Sequence, residues 1–143
     1  MDYNKINEGT TVFLPVYVPG ALLFVGDGHA LQGDGELAGD ALETSMDVEF
    51  TVNIEPGAEL DAPRFENDEF VMFGGIGNSL QEALQRATTA MSQYLASRYK
   101  LNPAEIAIVL DTATKYDIAE VVDPEVHIVA KLPRKALEGL KAE

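Results

Sequence analysis

The chain contains no cysteine. That excludes disulfide cross-links, cysteine-based zinc fingers and a thiol nucleophile, and it agrees with a reducing compartment. Basic residues are scarce: Lys and Arg total 10 against 24 Asp and Glu, a formal net charge of -14. Such a charge repels nucleic acid and anionic membrane surfaces, so neither is expected as a partner. It suits a cation or a neutral substrate. No apolar run approaches the roughly 18 residues needed to span a membrane. The opening Met-Asp-Tyr-Asn-Lys-Ile-Asn-Glu has no apolar core of the secretory type, and the expected location is cytoplasmic. Internal repeats, low-complexity segments and extended linkers are absent. No serine sits in a Gly-x-Ser-x-Gly elbow. The glycines at 74, 75 and 77 precede a helix but have no Gly-x-x-x-x-Gly-Lys pattern, so a phosphate loop lacks its lysine.

What remains is a chain of 143 residues, 46% hydrophobic, enough for a single domain over residues 1–143 with its own core. Residues 10–18 alternate Val12, Leu14, Val16 and Val18 with Thr11, Phe13 and Tyr17, a strand pattern with large residues on both faces. Pro15 marks it as an edge or a bulge. Residues 21–25 read as a second, apolar strand. The clearest strand signal is 46–54, where Met46, Val48, Phe50, Val52 and Ile54 alternate with polar residues. Residues 60–65, broken by Pro63, suggest an edge segment, 66–69 a solvated turn, and 70–73 a buried strand closed by the glycines that follow.

At Ser79 the period changes. Ser79 and Glu82 form a capping box, and Leu80, Leu84, Ala87, Met91 and Leu95 make one helix stripe to about Tyr99. Asn102-Pro103 starts a second helix, although residues 106–110 are also β-prone. Residues 115–122 and 126–131 read as a strand pair. His127 reads as a surface or hydrogen-bonded side chain rather than a ligand. Pro133 opens a short terminal helix. Strands and helices are segregated, so the fold class is α+β, with a β-rich, sandwich-like N-terminal part and helices and a strand pair in the C-terminal part.

The chemistry concentrates in residues 25–36, Val-Gly-Asp-Gly-His-Ala-Leu-Gln-Gly-Asp-Gly-Glu. Residues two apart on an extended chain share a face, which pairs Asp27 with His29 and Asp34 with Glu36. A turn at Gln32-Gly33 would fold the two pairs together. Three carboxylates and one imidazole around one point make a candidate metal site. Mixed oxygen and nitrogen ligands suit zinc, manganese or iron, and oxygen ligands alone suit calcium. A spare carboxylate such as Glu36 could move a proton to a leaving group. The plainer reading is a pair of Gly-Asp-Gly turns whose acids face water.

Residues 10–43, with the central Gly-Asp-Gly-His and Gln-Gly-Asp-Gly-Glu motifs, resemble the acetamidase/formamidase family. Met1-Asp2 resembles the end of that family's Gly-Gly-Asn-Met-Asp segment. The helix from Ser79 and the later Asp-Ile-Ala-Glu-Val-Val-Asp-Pro ending at Pro124 resemble its C-terminal part. The resemblance implies hydrolysis of short aliphatic amides, formamide or acetamide, to the acid and ammonia with a divalent metal, zinc foremost and calcium, manganese or iron as alternatives. It places Asp27, His29, Glu36 and Asp2 as ligands, Glu36, His29 and Asp34 in catalytic positions, and Gln32 toward the substrate. Family members are roughly twice as long, the remainder lying N-terminal to the matched part. A homo-oligomer, or a companion chain supplying that part, is therefore expected. The alternative is a non-catalytic metal-binding or assembly module left from the family.

Overall fold

The computed structural model describes residues 1–58 and 60–141. Its centre is a five-stranded antiparallel sheet in the order β1-β4-β5-β7-β6, built from β1 (Thr11–Phe13), β4 (Arg64–Glu66), β5 (Phe70–Gly77), β7 (Val126–Pro133) and β6 (Lys115–Glu120). β2 (His29–Leu31) and β3 (Leu42–Glu43) form a separate two-stranded ribbon. The helices are α1 (Leu80–Tyr99), α2 (Pro103–Ala113) and α3 (Arg134–Leu137). The class is α+β.

Alternation along β5 and β7 divides their side chains between two layers. Val71, Phe73, Ala130 and Leu132 face α1, where they pack with Ala87, Met91 and Leu95. Met72 and Val129 face the other way and pack with Tyr3, Phe65 and Ala119. Both α1 and α2 start where their caps predict. The Ser79 hydroxyl accepts from the Glu82 amide at 3.2 Å. Asn102 and Glu105 complete a reciprocal capping box, which resolves residues 106–110 as helix. Gly75 sets how closely α1 approaches: a Cβ there would lie 2.0 Å from the Ala83 carbonyl oxygen. For that reason the glycines do not close β5 after Phe73. The strand runs through them to Gly77, and α1 lies over them.

Several expected strands differ. In 10–18 only Thr11–Phe13 pairs, on β4 at the sheet edge, and Pro15 lies two residues beyond its end. Residues 21–25 and 46–54 form no strand among the described residues. They have no ladder partner, and periodicity alone cannot supply one. The segment after Pro63 is not an edge: β4 lies between β1 and β5, and Phe65 is fully buried. Among the described residues no helix is long and apolar enough to cross a membrane.

Candidate metal centre

His29 sits on the β2–β3 ribbon directly across from Glu43. Its Nε2 lies 3.0 Å from Glu43 Oε1 and 3.3 Å from Asp27 Oδ1. The imidazole side chain is only 8% exposed, whereas Asp27 and Glu43 are 55% and 52% exposed. Despite these distances Nε2 has no partner of hydrogen-bonding geometry and is buried. The other ring nitrogen, Nδ1, lies 3.1 Å from Gln32 Oε1. An amide oxygen only accepts, so Nδ1 carries a proton, and Nε2 is the ring nitrogen that, once deprotonated, would offer a lone pair between the two carboxylates. The Gln32 contact, then the Glu43 and Asp27 charges, raise the His29 pKa against the opposing effect of desolvation.

Gln32 extends this contact into the motif. Its Nε2 donates to Glu36 Oε2 at 3.3 Å and to the Ala119 carbonyl at 3.4 Å. Glu36 is buried at 8% exposure and ends a 3-10 turn over Asp34–Glu36. That turn is tied to the end of β6, where the Val121 amide donates to the Gly35 carbonyl at 3.0 Å. Asp27 and Glu36 both have positive φ, 61° and 46°. Non-glycine residues held there cost of order 1 kcal/mol or more, and such strain clusters at functional sites. Gly28, between Asp27 and His29, is covered by Met46: a Cβ on it would lie 2.8 Å from Met46 Cε.

A second cluster joins Asp2, Glu120 and Asp123, whose ligand oxygens fall within 4.8 Å of one another. Glu120 is buried and its Oε1 is unpartnered, while Oε2 accepts from the Asp2 amide at 3.4 Å. Burial and the Asp123 carboxyl raise the Glu120 pKa. A bulge between Ile118 and Glu120 leaves Ala119 and Glu120 both buried. Buried His127, across from Glu120 in the register, places Nδ1 3.2 Å from the Asp2 carbonyl and so ties down residue 2. Its surroundings are Tyr3 and Phe65, and burial lowers its pKa to about 4. Tyr3 donates to Asp117 at 2.7 Å, and Lys131 pairs with the same carboxylate at 2.6 Å.

Asp27 and Glu43 of the first cluster and all three acids of the second, with Glu36 and Asp40, line one acidic pocket of about 330 Å³, and His29 lies behind the two carboxylates rather than on the pocket wall. The structure thus brings Asp27 and His29 together with Glu43, places Asp2 in the second cluster, and puts Glu36 on the wall they share. Asp34 faces a neighbouring depression with Leu37 and Ala41 and accepts from Asn4 at 3.4 Å. Sequence spacing did not single out Glu43, Glu120 or Asp123. A ladder partner identifies Glu43, and only the bulge in β6 turns Glu120 inward.

The family model for the acetamidase/formamidase family matches residues 1–138. The chain belongs to the acetamidase/formamidase family. A recombinant predicted acetamidase/formamidase from Thermoanaerobacter tengcongensis superposes with a TM-score of 0.86 at 30% identity, covering 98% of this chain and 46% of that one. An acetamidase from Yersinia enterocolitica gives 0.85 at 29% identity, covering 96% and 42%. An acetamidase from Bacillus halodurans gives 0.81 at 31% identity, covering 97% and 47%. A provisionally named formamidase of Schizosaccharomyces pombe is 54% identical over 37 residues, 26% of this chain and 9% of that protein. The chain spans less than half the length of each of these acetamidase/formamidase relatives.

Proposed function

We propose that this chain carries the metal-dependent centre of an amidase that hydrolyses formamide or acetamide to carboxylate and ammonia. The observation that carries the reading is His29 Nε2, a buried ring nitrogen 3.0 Å from Glu43 and 3.3 Å from Asp27 with no partner of hydrogen-bonding geometry. One imidazole and two carboxylates, with an open pocket beside them, suit zinc, with manganese or iron as alternatives. The all-oxygen set Asp2, Glu120 and Asp123 suits a harder cation such as calcium. A bound cation would polarise the amide carbonyl and make nearby water a better nucleophile.

The chain's own residues do the rest. Gln32 holds His29 in the tautomer that leaves Nε2 free, and it fixes Glu36 Oε2. Glu36, on the pocket wall, takes the proton from the attacking water and returns it to the amide nitrogen as the C–N bond breaks. Water and amide thereby give the acid and ammonia. Protein with the metal restored should release ammonia from formamide or acetamide. Glu36→Gln should lower turnover by about 10²–10⁴-fold while leaving metal content unchanged. Metal uptake with no ammonia release would favour the second reading, a cation held for structure alone.

A further inference from the structure

We infer that residues 46–54, which pair with nothing here, dock as a strand on a polypeptide supplying the part of the family fold this chain does not cover. The inference does not depend on the amide reading. Met46, Val48, Phe50, Val52 and Ile54 alternate along the sequence, which would put them on one side of a strand, and they are 50% to 84% exposed. Asp47, Glu49, Thr51 and Asn53 take the alternate positions. A stretch with one apolar face and no ladder partner presents both a row of free N–H and C=O groups and a surface that water disfavours.

The area agrees. The accessible surface is 9644 Å², against roughly 7,200 Å² for a compact protein of this mass. An excess of about 2,400 Å² per partner is about 4,800 Å² counted on both sides, in the range of obligate interfaces. The occupant follows from the solved relatives. They match 96–98% of this chain, the extended stretches included, yet 53–58% of their own length lies outside the match. A second copy of this chain is the poorer fit, because each copy carries a net charge of -14 and like charges of that size repel. Strand addition of this kind takes affinity from main-chain pairing and specificity from alternate side chains. It would also fix Met46, the first apolar residue of the stretch, over Gly28 between Asp27 and His29. Docking thus reaches the acidic pocket.

The test co-expresses the tagged 143-residue chain with the complementary portion of each of the three relatives, with hydrogen exchange read at residues 46–54. The expected result is a 1:1 complex with at least one complement. In it the amides of 46–54 are protected by on the order of 100-fold or more over the chain alone. Phe50→Asp should abolish capture, and Glu49→Gln, on the other face, should leave it intact. The inference is overturned if none of the complements is captured, if the two variants behave alike, or if residues 46–54 are already protected in the isolated chain, as monomer or as self-dimer.

Discussion

His29 and Glu43 face each other across the β2–β3 ribbon, with imidazole Nε2 3.0 Å from the carboxylate Oε1 and no hydrogen bond between them. Two polar groups at that distance in a cross-strand pair ordinarily turn to bond. That they converge with Asp27 on one point instead is what a cation would exploit. Glu43→Ala should therefore weaken zinc binding by at least about 10-fold, the scale on which even outer-shell changes act. Competition against a chromophoric chelator measures it. Asp34→Ala, outside the pocket, should leave the affinity within about twofold on the same scale.

His127 makes stability depend on pH. Burial lowers its pKa to about 4, against about 6.5 in the unfolded chain. Between those values the unfolded state binds the extra proton, so stability rises with pH. The contribution is full above about pH 6.5 and is lost as pH falls toward 4, by at most about 3 kcal/mol. Urea unfolding at several pH values checks this. His127→Gln should flatten the dependence over that window.

Much of this was legible before any coordinates. The caps at Ser79 and Asn102 are local chemistry, and Ala87, Met91 and Leu95 of the expected stripe are buried on one helix face; Leu80 and Leu84 are exposed instead, and Ala83 extends the buried face toward the helix start. The Gly-Asp-Gly-His motif likewise marks the site. Pairing is a property of two segments. Residues 46–54 have the strongest strand alternation and form no strand, because alternation specifies a face and not a neighbour. Glu43, Glu120 and Asp123 come to the pocket through ladder register, a bulge and the turn after β6, which leave no spacing signature near residue 29. Asp34 and Glu36 diverge because the chain there makes a 3-10 turn, with Gly35 and Glu36 both at positive φ, rather than the extended run that would align them.

Gly75 bears on packing alone. A Cβ at this position would meet the Ala83 carbonyl at 2.0 Å and the Ala87 amide at 2.5 Å, both of them backbone atoms that cannot rotate aside. Gly75→Ala should displace α1 and cost about 3 kcal/mol or more, the upper end of overpacking effects. Denaturant titration reads the loss.

Cation removal should lower thermal stability. Any ion that binds only the folded state at 100 times its dissociation constant adds about 2.7 kcal/mol. A chelator should remove that increment, and His29→Ala protein should show no response to added zinc. A response to calcium that survives His29→Ala and disappears in Glu120→Gln would assign the second cluster separately.

The most direct test of the centre is X-ray absorption at the zinc edge on protein loaded with one equivalent of zinc. The account predicts one imidazole nitrogen at about 2.0–2.1 Å with the remaining ligands oxygen, and loss of the imidazole signal in His29→Ala. A zinc ion surrounded by oxygen alone, or protein that retains no zinc after dialysis, would contradict the assignment of His29, Asp27 and Glu43 as a metal centre.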